Sequence, residues 1–308
     1  MRDEPYAQFA ARMRRRETTA LAARRALVAR LYVALHPALR AGLPPDAEAL
    51  DPRFLAAERE GSLPELLQRL SPLGAVALPL LTPELCAQLD EELSHFDASG
   101  LPLSQPNSMH RGGLIAAEAG LTPLVTALRR RLGSLCAALY PQFAGLDGHH
   151  AFAVRYEAAG GGAGADRELA FHYDDSHVTL NVCLGRRFEG SALFFCGLLE
   201  QEATHGETVE FDHRPGTAVL HLGHHRHGAR PIAAGERVNL IVWMKSSEAE
   251  RREALEAHGH SHGHSHEHSH EHSHEHSHDD SCCGEGEELE GFENAQVEDV
   301  SVQFQVLE

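Results

Sequence analysis

Phe171-His172-Tyr173-Asp174-Asp175 is the stretch on which the reading of this chain turns. In a β-strand, residues two apart project to one face. His172 and Asp174 would then point together while Tyr173 turns away. A neutral imidazole and a carboxylate on one face are two adjacent ligands for a divalent metal. Alone the pair is a weak signal, because two polar residues on an edge strand need carry no chemistry. Its weight depends on what surrounds it.

From His149 onward the surrounding grammar is that of strands. Ala151–Tyr156, Leu169–Asp174 and His177–Leu184 read as strands, and further strands are expected at 191–196, 207–212, 217–222 and 237–243. Gly160-Gly161-Gly162-Ala163-Gly164 reads as a flexible turn between the first two. Short strands with turns every eight to twelve residues predict a sandwich or barrel. The part before His149 reads differently. Residues 7–42 and 52–70 are helical in pattern, Pro44-Pro45 separates them, and 74–81 is a short buried strand. Thr82-Pro83-Glu84 carries the signals of a helix start: a cap, a proline at the first position and an acid at the positive end. A helix is expected from there to about Phe96, a loop over 97–120, and an amphipathic helix over 122–140. The fold class predicted is α+β: a double-stranded β-helix, or jelly roll, preceded by flanking helices and followed by a disordered C-terminal tail. The organisation follows as 1–72 helical, 73–247 the jelly-roll domain, and 248–308 a low-complexity tail.

The net charge of -18 belongs mostly to that tail. Residues from Ala257 onward hold 13 acids and no Lys or Arg, which leaves residues 1–256 at a net of -5. No basic stripe interleaved with aromatics is present, which argues against nucleic acid as a partner. Cys86, Cys136, Cys183 and Cys196 sit in apolar stretches and read as buried small hydrophobes. The start lacks an apolar leader, and no run of about 18 apolar residues exists to span a membrane. A reducing compartment, cytoplasmic or nuclear, is the simpler expectation. The Arg-rich start imitates an organelle transit peptide, although Asp3, Glu4 and Glu17 argue against one. Within the tail, His258, His260, His262, His264, His266, His268, His270, His272, His274, His276 and His278 occupy every second position. Such a tract cannot build a core. Its imidazoles, with Cys282-Cys283 beyond, could take Ni, Zn or Cu as an auxiliary metal site, or could be a solvated repeat without a role. Val300–Val306 alternates cleanly and reads as a strand able to add to a sheet edge.

A third ligand for the His172–Asp174 pair must come from a distant strand. His221, His224, His225 and His227 are all available, and chemistry alone does not choose. The segment that follows favours His227. Ten residues after it, Arg237 opens the apolar strand Val238–Trp243. Arg237 buried in a sheet would be costly unless an anion met it, and a carboxylate matches its planar fork. Two histidines and one carboxylate with open positions opposite are the arrangement of non-haem Fe(II) oxygenases.

An ordered set of motifs carries a resemblance. It comprises Pro106-Asn107-Ser108-Met109, Leu146–Val154, His172-Tyr173-Asp174, Val178-Thr179-Leu180-Asn181-Val182, Phe188-Glu189-Gly190, and His227-Gly228-Ala229 through Gly235-Glu236-Arg237-Val238-Asn239-Leu240. Over roughly 75–247 the chain resembles the Fe(II)- and 2-oxoglutarate-dependent dioxygenases of the prolyl and lysyl hydroxylase type. Among them it resembles the vertebrate "2-oxoglutarate and iron-dependent oxygenase domain-containing" proteins. The resemblance implies that His172, Asp174 and His227 are the catalytic metal ligands and bind Fe(II). It implies that Arg237 binds the far carboxylate of 2-oxoglutarate, with Tyr156 a second contact, and Thr179 and Asn181 weaker candidates. For Tyr156 the bland reading is an aromatic wall of the core. It further implies O2 as cosubstrate, succinate and CO2 as products, and ascorbate as the agent that re-reduces iron. Of the spare histidines, His221 is expected to point away from the iron, and His224 and His225 to be surface loop residues. The functional expectation is hydroxylation of a protein side chain, Pro or Lys. A small-molecule substrate is a further possibility. The alternative is a metal-buffering protein with a vestigial barrel and an active His-rich tail.

Overall fold

A computed structural model of the chain describes residues 6–259 except 108, 110–112, 144 and 159–165. The chain divides into two units, Met1–Glu250 and Arg251–Glu308, and the first contains every strand of the described residues. The histidine repeat from His260, the Gly-rich turn at 160–164 and the strand expected at Val300–Val306 lie outside the described residues.

The leading part is helical, in shorter pieces than expected. α1 (Tyr6–Leu31) gives way to a 3-10 turn at Pro37–Arg40, then α2 (Asp46–Ala49), α3 (Pro52–Glu60) and α4 (Leu63–Leu66). Asp51 caps α3 by accepting from Arg53 N, and Gly61 ends it at φ 70, a conformation glycine takes without strain. β1 (Gln68–Arg69) and β2 (Val76–Pro79) follow. α5 (Pro83–Ala98) starts where the cap signals place it, with Thr82 Oγ1 accepting from Leu85 N at 3.2 Å. The 97–120 segment is not all loop, because β3 (Leu114–Ile115) pairs with a later strand. α6 (Thr122–Leu139) closes this part.

The strands are β4 (Gly148–Glu157), β5 (Leu169–His172), β6 (Val178–Gly185), β7 (Phe188–Gly190), β8 (Leu193–Leu198), β9 (Val209–Phe211), β10 (Thr217–Leu222), β11 (His225–Ala229) and β12 (Ile232–Lys245), with α7 (Ser247–Gly259) after them. They form two antiparallel sheets. The larger runs β1-β2-β10-β6-β12-β4-β3, with β7 paired to β12, and the smaller runs β5-β11-β8-β9. This is the helix-flanked jelly roll expected. β7 and β11 were not foreseen, and β12 begins at Ile232 rather than 237.

Alternation along the large sheet explains both the layering and the site. One set of side chains, including Ala153, Leu180, Val182, Leu220, Leu240 and Val242, joins a core with Phe54, Leu85, Leu89, Phe96, Leu128 and Leu132 of the helices. The intervening residues face the small sheet: Phe152, Val154, Tyr156 and Ile241 pack with Ala229, and Ala77 and Val219 pack with Leu193 and Phe195. β6 and the middles of β2, β4, β10 and β12 are therefore buried on both faces, one against the helices and the other against the small sheet. No helix among the described residues is long and apolar enough to cross a membrane.

Candidate metal centre and acid anchor

His172 and His227 are direct cross-strand partners of β5 and β11, which brings their rings to 4.4 Å between centroids. Each ring is oriented by the backbone: Nδ1 of His172 lies 3.0 Å from Ala170 O, and Nδ1 of His227 lies 2.8 Å from His225 O. A carbonyl only accepts, so both Nδ1 atoms carry the proton and both Nε2 atoms turn toward Asp174. Asp174 completes the group. Its Oδ1 is 3.4 Å from His172 Nε2 and its Oδ2 is 3.6 Å from His227 Nε2. The three ligand atoms lie within 4.8 Å of one another, the one such cluster among the described residues.

Asp174 does not reach this place by strand alternation. β5 stops at His172, so the two-residue rule applies only in its outcome. Asp174 N donates to Gly223 O at 2.9 Å, which anchors it to the turn after β10. Thr179 Oγ1 of β6 donates to Asp174 Oδ2 at 2.6 Å, and Ser176 Oγ lies 2.8 Å from Thr179 Oγ1. One carboxylate oxygen is thus held by a hydroxyl and the other faces His172. Tyr173 is exposed, turned away as expected, and Phe171 is exposed as well.

Burial raises the cost of ionising Asp174, but the nearby histidines outweigh it and hold the carboxyl well below its usual range. Burial also disfavours charge on His172, yet the hydrogen bond and charge of Asp174 win, so its pKa rises. Burial dominates at His227, which is pushed well below the ordinary histidine value. The cluster is one ionised carboxylate facing imidazoles, a donor set suited to a divalent cation.

Arg237 lies on the same inner face of the large sheet and is wholly buried. Its guanidinium sits 4.5 Å above the ring of Tyr156, its cross-strand partner on β4. Nη1 donates to Ser191 O. Nε and Nη2 find no hydrogen-bond partner among the described residues. A buried guanidinium with two unused donors calls for an anion. The hydroxyl of Ser191, also wholly buried, is unpartnered too. Tyr156, His172, Asp174, Thr179, Asn181 and His227 line one cavity.

The structure alters the reading of the other histidines. His221 does not point away. It is buried, its ring is 4.4 Å from that of His227, and its Nε2 is 4.0 Å from Asp174 Oδ2. His225 is not a surface residue; it is buried in β11, with Nε2 2.7 Å from Glu207 Oε2. His224 is exposed beside Glu200, as expected. His213 and Asn239, which sequence reasoning passed over, form a buried chain with Asn181: Asn239 Nδ2 donates to Asn181 Oδ1 at 2.6 Å and lies 3.3 Å from His213 Nδ1. The signal that would have found Asn239 is parity, because it sits two residues from Arg237 and so shares its face.

Residues 28–145 match the family described as "OGFOD2-like domain". The "2-oxoglutarate and iron-dependent oxygenase domain-containing protein 2" of Mus musculus is 42% identical over 252 residues, covering 78% of this chain and 70% of the relative. The chain belongs to that oxygenase family. The Homo sapiens protein of the same name is 43% identical, over 73% of this chain and 66% of its own. "2-oxoglutarate and iron-dependent oxygenase domain-containing protein ICU11" of Arabidopsis thaliana is 34% identical, over 64% of this oxygenase and 52% of its own length. Among solved structures, a prolyl hydroxylase from Trichoplax adhaerens in complex with a hypoxia inducible factor peptide fragment is 14% identical with a TM-score of 0.49, over 68% of this chain and 99% of that one. A Pseudomonas putida prolyl-4-hydroxylase is 17% identical with a TM-score of 0.42, over 65% and 97%. The fold assignment rests on the strand order and pairing.

Proposed function

We propose that this oxygenase uses Fe(II), 2-oxoglutarate and O2 to hydroxylate a C–H bond of a protein side chain, Pro or Lys. The observation that carries the reading is the convergence of two histidine Nε2 atoms and an ionised carboxylate in one cavity, with a half-satisfied buried arginine on the same sheet face. Bound there, iron and 2-oxoglutarate supply the chemistry: O2 and the keto acid become succinate and CO2, and one oxygen enters the substrate C–H bond.

The chain's own residues do the rest. His172 and His227 present Nε2 because their Nδ1 protons are already committed to carbonyls. Thr179 holds one oxygen of Asp174, which leaves the other to face the metal position. Arg237 would take the far carboxylate of 2-oxoglutarate through Nε and Nη2; it stacks on the Tyr156 ring, which lines the cavity, while Arg237 itself is not among the lining residues. The choice of Pro or Lys rests on the resemblance of the motifs to prolyl and lysyl hydroxylases. Ascorbate, as the reductant of stranded iron, rests on the same resemblance. The tail histidines, by composition, form an accessory site for Ni, Zn or Cu. A metal-buffering protein with a vestigial barrel is the weaker reading, since an idle barrel has no use for a buried guanidinium with two unfilled donors.

The test is succinate release from 2-oxoglutarate with Fe(II) under reducing conditions, with and without Pro- and Lys-containing peptides. Turnover is expected from the wild type and from His224→Ala, and none from His172→Ala or His227→Ala. An inactive wild type, or an active His172→Ala, would overturn the reading. Stimulation by small molecules but by no peptide would remove the protein substrate alone.

A further inference from the structure

The strand that carries His227 is irregular along both of its edges. Its pairing with β8 shifts register between His225 and His227, where one residue of β11, Arg226, faces two of β8, Cys196 and Gly197. Its pairing with β5 shifts between His227 and Ala229 in the same way. His227 keeps its own partners, His172 and Phe195, but it lies between two irregularities at which the ladder is locally disrupted. The His225 carbonyl stands at the edge of the first irregularity, and that oxygen takes the Nδ1 proton of His227 at 2.8 Å.

A carboxylate braces this stretch of β11. Glu207 lies in the connection between β8 and β9, with its side chain 8% exposed. Its Oε2 accepts from Gly197 N of β8 at 2.9 Å and from the Nε2 proton of His225 at 2.7 Å. Its Oε1 accepts from Ser71 Oγ, just after β1 of the large sheet. One carboxylate thus bridges β8, β11 and the segment joining β1 to β2 at the level of the irregularity. The His225 ring also packs on Phe195, 4.7 Å between centroids. With Nε2 committed to Glu207, this imidazole turns its back on the cavity and is not a ligand.

We propose that Glu207 and His225 act as a latch that positions His227. The pair fixes the β11 backbone across the irregularity, so the His225 carbonyl selects the tautomer and angle at which His227 presents Nε2 to the metal. Both are positioning residues and neither touches the metal or cosubstrate. The inference rests on the metal site proposed above, and its test separates the two.

Full-length protein is titrated anaerobically with Co(II), whose absorption bands report ligand geometry. His172→Ala serves as the blank for metal taken up elsewhere on the chain, the histidine tail included. The variants are Glu207→Ala, His225→Phe, which fills the space beside Phe195 but cannot donate, and Glu207→Gln, which can still accept from Gly197 and His225. Glu207→Ala and His225→Phe are expected to weaken the His172-dependent Co(II) binding by about 10–100-fold and to shift its bands. Glu207→Gln should return to within about threefold of wild type. Affinity for 2-oxoglutarate at saturating metal should change little, since Arg237 lies outside the latch. Unchanged Co(II) affinity and bands in Glu207→Ala or His225→Phe would overturn the latch, whether or not the melting temperature falls. If one of these variants fails to fold, the other decides. Wild type with no His172-dependent Co(II) binding would overturn the metal site itself, and the latch with it.

Discussion

At the scale of single residues, the acid anchor makes the sharpest demand. Arg237 is a buried cation whose Nε and Nη2 have nothing to bond to among the described residues. Lys at this position keeps a charge but loses the planar fork that grips a carboxylate twice. A charge-assisted hydrogen bond contributes about 1.5–3 kcal/mol, so Arg237→Lys is expected to raise KM for 2-oxoglutarate by about 10–100-fold. Steady-state kinetics over a range of 2-oxoglutarate checks this, and an unchanged KM would remove Arg237 from cosubstrate binding. Arg237 was legible because it interrupts an apolar strand. His221 was not, for a physical reason. On β10, Ala218, Val219, Leu220 and His221 are all buried, so inside and outside cannot be told apart by polarity. Its direction follows only from pairing, since His221 lies opposite Thr179, which bonds Asp174. His225 escaped for a similar reason: nothing local marks Glu207, eighteen residues earlier, as its partner.

At the scale of elements, the ends of strands matter more than their middles. β4, β6, β12, α5 and α6 were legible because long apolar periodicities and cap residues marked them. β11 was not, since His225–Ala229 has no apolar alternation and is a strand only through its neighbours β5 and β8. The least legible piece is the connection from β5 to β6, which places Asp174. It packs on the Gly223 turn, where Gly223 O accepts from Asp174 N and Gly223 N donates to His177 O at 3.1 Å. A Cβ on Gly223 would come to 1.8 Å of Ser176 O. Neither backbone can yield without moving Asp174 off the histidines. Gly223→Ala should therefore lower stability by about 1–3 kcal/mol and weaken Co(II) binding by at least about tenfold. Gly133→Ala in α6 meets no atom within 4 Å and is the control. Urea unfolding and metal titration on both variants check the pair of effects. Wild-type metal affinity in Gly223→Ala would show that the turn does not set the position of Asp174.

At the scale of the whole molecule, the two-sided burial of the large sheet has a cost that pH exposes. Polar groups on the inner face are sealed between sheets, and His213 is among them. Burial, followed by the charge of Arg237, pushes its pKa down to about 3. Its neutral form is well served: the Nε2 proton goes to Thr217 O at 2.9 Å, and Nδ1 faces the amide nitrogen of Asn239. A second proton would sit on Nδ1 against another donor. In the unfolded chain the same imidazole titrates near its ordinary value of about 6.5. The folded pKa is depressed, so between these values the unfolded state binds a proton that the folded state refuses. Stability therefore falls as pH drops through about 6.5, and the fall from this group ends only near its folded value. For His213 the loss between pH 7.5 and 5.5 is about 1.4 kcal/mol. Gln at this position cannot titrate but can still donate to Thr217 O and accept from Asn239. The measurement is the difference in urea-unfolding free energy between pH 7.5 and 5.5, for wild type and His213→Gln, with metal removed from both. The variant should lose less stability than the wild type by about 1.4 kcal/mol, whatever its absolute stability. Equal losses would mean that His213 is protonated in the folded protein, and that the sealed inner face admits water.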